Sequence, residues 1–161
     1  MMLGMTLPTF TLFHVIISLI GIGSGLVVVF GLLTAKRLKN WTAIFLVTTV
    51  LTSATGFLFP FHGFKPSYAV GILSLIVLAV AIVALYAGHL AGAWRWIYVV
   101  TAVIALYFNV FVLVAQSFDK VPALKALAPT QSEPPFAIAQ LIVLVIFIVL
   151  GILSVRRFRP L

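Results

Sequence analysis

The chain of 161 residues is 64% hydrophobic and only 7% charged, with a mean hydropathy of +1.32, whereas a soluble domain carries roughly 25% charged residues to hold water at its surface. Each crossing of a hydrocarbon core about 30 Å thick takes about 20 apolar residues, so five crossings together with their connecting loops use nearly the whole length and leave none for a separate soluble catalytic domain. The net charge of +8 sits in short basic clusters beside apolar runs, a membrane-orienting pattern rather than a nucleic-acid footprint, and the lack of cysteine excludes disulfides, thiol redox chemistry and thiolate-held zinc or iron–sulfur centres.

In chain order, the apolar runs predict an all-α, single-domain membrane bundle with helices at about 9–35, 41–61, 68–88, 96–118 and 134–155. The first helix lacks the basic leader and small-residue cleavage site of a secretory signal, so it is expected to stay in the mature protein. It ends in Lys36-Arg37-Leu38-Lys39-Asn40, and the second helix stops near Pro60, His62 and Gly63. A short segment from His89 to Arg95 leads into the fourth helix. Residues Asp119 to Glu133 form the long loop before the fifth, which opens on Pro134 and Pro135. Proline is tolerated in a first turn, and a carboxylate there meets the positive end of the helix dipole.

Charge placement predicts the orientation. With the Lys36 turn cytoplasmic, that side holds Lys36, Arg37, Lys39, Arg95, Arg156, Arg157 and Arg159, and the opposite side holds Lys65, Lys120 and Lys125. This asymmetry places the N-terminus outside and the C-terminus in the cytoplasm. Trp41, Trp94 and Trp96 fall at the same basic interface, where indole rings prefer to sit. No internal repeat signals the inverted symmetry of many carriers.

Rare polar side chains mark the candidate site. His14 and His62 are each 24 positions from Leu38, which puts both near the outer edge of the hydrocarbon. Gln116, Asn109 and Gln140 fall in the same outer half, with phenylalanines 57, 59, 61 and 64 nearby. Polar groups in hydrocarbon turn inward and often mark a site. Several readings fit: a pocket for an amphipathic ligand such as a quinone, a haem b or metal between His14 and His62, a proton or substrate path in an oligomeric channel or carrier, or helix packing alone. His14, Ser18, Gly21 and Gly25 share one face of the first helix, and Gly21 and Gly25 form a GxxxG pair suited to close helix approach. No carboxylate is expected inside the membrane, and no Ser-His-Asp, paired-carboxylate or HExxH arrangement points to hydrolysis.

The runs from Thr55 to Phe64 (TGFLFPFHGF) and from Ala128 to Phe136 (APTQSEPPF) resemble those of small polytopic inner-membrane proteins of bacteria without an assigned activity. The resemblance implies an inner-membrane location and supplies no catalytic residues. The expectation is a binding or accessory membrane protein, as a subunit of a larger complex or a homo-oligomer, with a redox protein holding one haem or quinone as the alternative.

Overall fold

The computed structural model describes residue 4, residues 6–58 and residues 66–158. Six α-helices appear in chain order: α1 (Leu7–Leu33), α2 (Lys39–Gly56), α3 (Pro66–Ile82), α4 (Ala93–Lys120), α5 (Pro122–Leu127) and α6 (Pro134–Arg157), with no strand among the described residues. A π-helical turn, Val83–Ala87, continues α3. Four segments are long and apolar enough to cross a membrane: Leu7–Leu33, Tyr68–Ala87, Ala93–Lys120 and Pro134–Arg157.

Helix ends follow local chemistry. At the start of α1 the Thr6 side chain accepts from the Thr9 amide, and a proline occupies the first turn, where its missing N–H leaves no bond unmade. The expected long loop from Asp119 to Glu133 is not continuous coil: Pro122 starts the short helix α5 within it. Glu133 is the N-cap residue of α6, followed by Pro134 and Pro135. Its carboxylate turns back into the preceding loop rather than onto the helix, accepting from the Thr130 hydroxyl at 2.6 Å and the Ser132 amide at 3.1 Å. The Thr130 hydroxyl is the main cause that holds the Glu133 carboxyl below its ordinary pKa.

Helix α4 is the hub, in contact with α1, α2, α3, α5 and α6. Its buried side chains recur at helical spacing: Tyr98, Ala102, Ala105 and Asn109 on one line, Val99, Val103 and Leu106 on the next. The alanines let neighbouring backbones approach closely. Helix α6 is peripheral. It buries Gln140, Phe147 and Ser154, seven residues apart, a stripe one side chain wide.

Helix α2 is reversed relative to a soluble amphipathic helix. Thr42, Phe45, Leu46, Thr49, Ser53 and Thr55 are buried, whereas Trp41, Ile44, Val47 and Leu51 are exposed. Of the buried hydroxyls, Thr55 donates to the Leu51 carbonyl one turn back (2.6 Å), as the half-buried Thr48 and Thr52 do to Ile44 (2.6 Å) and Thr48 (2.7 Å). Between α3 and α4 the backbone turns sharply, with His89, Leu90 and Gly92 all at positive φ (50°, 59° and 54°). Left-handed backbone costs a residue with a Cβ roughly 1–2 kcal/mol. The Trp94 ring lies over Gly88, where an added Cβ would come within 2.5 Å of it.

Candidate functional site

The polar residues of the bundle form a seam that begins between α1 and α2. His14 Nδ1 lies 2.8 Å from Thr55 Oγ1, and the Thr55 hydroxyl reaches the Leu51 carbonyl at 2.6 Å. A hydroxyl has a single proton to donate. With that proton given to Leu51, the His14 ring carries its own proton on Nδ1 and donates it to Thr55. About two helical turns further along α1, Asn109 of α4 donates to Thr49 Oγ1 of α2 at 3.3 Å. Gly21 sits against this bond. A Cβ built there would lie 3.2 Å from Thr49 Oγ1, 3.3 Å from Thr48 Oγ1 and 3.5 Å from Asn109 Nδ2. One turn on, a Cβ at Gly25 would come within 2.6 Å of Leu106 and 2.9 Å of Phe45. The two glycines therefore mark the line where side chains of α2 and α4 pack directly against the α1 backbone.

The other candidates lie elsewhere. Gln140 is buried on α6 and donates to the Phe111 carbonyl of α4 at 3.2 Å. Its Oε1 atom is buried with no hydrogen-bond partner among the described residues, as is Ser154 Oγ. Gln116 is exposed on α4. His62, with phenylalanines 59, 61 and 64, lies outside the described residues, and so does the pairing with His14 on which a haem or metal site depends. The hydrogen bonds thus spread His14, Asn109 and Gln140 over three helix pairs, α1–α2, α2–α4 and α4–α6. Among the described residues no three His, Asp or Glu side chains gather as a metal site.

Hydrogen bonds that the sequence does not signal hold the remaining contacts. Ser53 of α2 donates to Ser74 of α3 at 3.1 Å in a buried position. At the opposite end, Arg95 of α4 donates through one nitrogen to the Val155 and Phe158 carbonyls, at 2.9 and 2.7 Å. These bonds cap the C-terminus of α6, where backbone carbonyls lack helical partners and the dipole is negative. The two ends of that cap are about sixty residues apart in the chain, so neither periodicity nor spacing connects them.

Open space lies away from the seam. Between α4 and α6 runs a groove of about 410 Å³, walled by Val100, Val103, Ile104 and Tyr107 on one side and by Leu144, Ile148, Gly151 and Ile152 on the other. The Tyr107 and Phe147 rings, 5.7 Å apart between centroids, lie at one end, and Arg156 is at the other. Gly151 forms part of its floor: a Cβ there would make ordinary contact with Val103 at 3.7 Å. A second, smaller apolar cavity of about 270 Å³ lies between α2 and the end of α3, beside Tyr86. Compared with known proteins, the chain matches no family model, no curated protein and no solved structure.

Proposed function

We propose that the chain is a five-span integral membrane protein of the bacterial inner membrane, N-terminus outside and C-terminus in the cytoplasm, that binds an amphipathic molecule taken up sideways from the bilayer. It acts as a binding or accessory protein, alone, as a homo-oligomer or as a subunit of a larger membrane complex. The observation that carries the binding role is the groove between α4 and α6, apolar along its walls and basic at one end. Such a groove suits a hydrocarbon chain, and small-molecule sites are mostly apolar clefts with few polar groups.

The five-span reading rests on α2. Its outward side is apolar and its hydroxyls are buried, the arrangement that lipid favours and water opposes. It packs along α1 from the Gly31–Leu38 contact near the turn to the His14–Thr55 bond at the far end, so it returns over the depth that α1 crosses. Lys36, Arg37, Lys39, Arg95, Arg156 and Arg157 then share one end of the bundle, and the two acids, Asp119 and Glu133, share the other. That distribution supports a cytoplasmic basic end. A topology reporter fused after Arg159 is expected to read cytoplasmic and one inserted near Ala126 external. Both on one side would remove the five-span arrangement.

The binding role is tested on the groove. Lipids retained by the detergent-purified protein, extracted and weighed by mass spectrometry, are expected at about one per chain. Gly151→Phe should abolish that retention, because the ring fills the groove between Val103 and Ile148. Gly151→Ala, which adds only an ordinary contact, should keep it. Equal retention in wild type and Gly151→Phe would end the groove reading.

A further inference from the structure

We infer that the α4–α6 groove takes an isoprenoid quinone, with a ring carbonyl accepting a hydrogen bond from the Tyr107 hydroxyl and the tail along the apolar walls. This rests on the reading of the groove as a ligand site and adds the class of the ligand and the group that recognises it. Depth is the first argument. Tyr107 lies fourteen residues from the start of α4 at Ala93 and thirteen from its end at Lys120, about 20 Å from either end at a rise of 1.5 Å per residue. Arg95 and Trp96 near one end, and Asp119 and Lys120 at the other, set the two ends at the two interfaces. The Tyr107 phenol therefore stands near the middle of the hydrocarbon. Tyrosine ordinarily prefers the interfaces, and Tyr68, Tyr86 and Tyr98 all fall near helix ends.

Hydrogen bonding is the second argument. Other hydroxyls of α4 donate to carbonyls one turn back, Thr101 to Ile97 at 2.7 Å and Ser117 to Leu113 at 2.8 Å. A phenol cannot, because its rigid ring holds the oxygen away from its own backbone. Tyr107 makes ring contacts with Phe108, Phe111 and Phe147, and its hydroxyl has no hydrogen-bond partner among the described residues. The hydrocarbon holds no water to supply one, and tyrosine hydroxyls out of water usually find a partner. This open donor belongs to the groove wall. Its complement is an acceptor that a neutral lipid carries at mid-depth. Phospholipid esters stay at the interface with their headgroups, whereas a quinone ring is uncharged and bears carbonyls. The Tyr107 and Phe147 rings, 5.7 Å apart and inclined by 55°, let a flat ring stack on one and meet the edge of the other. From Leu144 to Val155 the α6 wall then continues for eleven residues, about 16 Å, along which the tail lies. His14 and Asn109, the other polar groups expected to hold such a head, are engaged with Thr55 and Thr49 in the seam.

The test uses the purified full-length protein in a neutral detergent, titrated with decylubiquinone or with decylbenzene, which has the same tail on a ring without carbonyls. Wild type is expected to hold decylubiquinone about fivefold more tightly, the scale of one net hydrogen bond. Tyr107→Phe, which removes only the hydroxyl, should erase that preference while decylbenzene binding persists, and the persistence shows that the groove is still folded. The infrared carbonyl stretch of bound, isotope-labelled decylubiquinone should lie at lower frequency in wild type than in Tyr107→Phe. Gly151→Phe should abolish binding of both probes. Equal affinity of wild type for the two probes, or a carbonyl frequency that Tyr107→Phe leaves unchanged, would overturn the quinone assignment while leaving the groove as an apolar site. Decylubiquinone binding that survives Gly151→Phe would place the quinone elsewhere and overturn it too. Failure of wild type to bind either probe would remove the groove reading together with this inference.

Discussion

The α1–α2 seam and the α4–α6 contact are both built on a small residue and a few polar groups, yet one closes and the other leaves a groove. In the seam, Gly21 and Gly25 are one turn apart and both buried, and the side chains of Thr48, Thr49, Phe45 and Leu106 occupy the space they vacate. The hydroxyls there have partners, Thr55 with His14 and Thr49 with Asn109. At α4–α6 a single glycine, Gly151, faces Val103 with room for a methyl group. The α6 stripe leaves Gln140 Oε1 and Ser154 Oγ buried without hydrogen-bond partners among the described residues. An unpartnered buried polar atom costs roughly 1–3 kcal/mol. Lipid supplies no hydrophobic push between helices, so closure depends on small residues in register and on polar groups that find each other. Where only one of these is present, the helices touch along a line and the space beside it stays open to other apolar matter.

That contrast is broken most severely at Gly25. Gly25→Leu should destabilise the protein strongly, because even a Cβ would overlap Leu106 and Phe45. Overpacking of this kind typically costs about 1–3 kcal/mol and can exceed it. The measurement is thermal unfolding in detergent, and a wild-type melting temperature would mean that α1 does not approach α2 and α4 as closely as described. The His14–Thr55 bond is a smaller test. His14→Ala, Thr55→Val and the double variant form a cycle whose coupling should be about 0.6 kcal/mol, the average for hydrogen bonds between helices in lipid, and below about 2 kcal/mol. Zero coupling would assign the seam's closure to the glycines alone. The smallest effect belongs to the groove: Gly151→Ala should leave stability within about 0.5 kcal/mol or raise it slightly, by filling open space and by its helix propensity. A loss on the scale of Gly25→Leu would show that α4 and α6 pack as tightly as the seam and that no groove exists.

Much of the fold was legible in the chain alone, for reasons that are local. Apolar runs of about 20 residues, Pro134-Pro135 after Glu133 and the basic turn at Lys36 each act through their immediate neighbours, so helices and the start of α6 could be read directly. Asp119–Glu133 was less transparent: its polar composition suggests coil, but Pro122 pre-sets the backbone for a first turn and Ala-Leu-Lys-Ala-Leu continues it. Helix α2 carries the weakest apolar signal of the long helices, because its threonines lower the average hydropathy.

Helical character, an apolar exterior and the clustering of most basic residues beside helix ends were determined by the sequence itself, because each depends on composition and on local order along the chain. Rotation and partnership were decided only in the tertiary structure. In lipid an exposed leucine costs little, so hydropathy does not say which face of a helix turns inward. The equal distance of His14 and His62 from Leu38, and the placing of Asn109, Gln116 and Gln140 in the same outer half, could be counted, but depth leaves rotation open. The folded bundle sends His14 to Thr55, Asn109 to Thr49 and Gln140 to the Phe111 carbonyl, and leaves Gln116 exposed. The α4–α6 groove and the Arg95 cap beside it likewise arise from residues about forty to sixty positions apart, brought together by packing forces that no local pattern in the chain records.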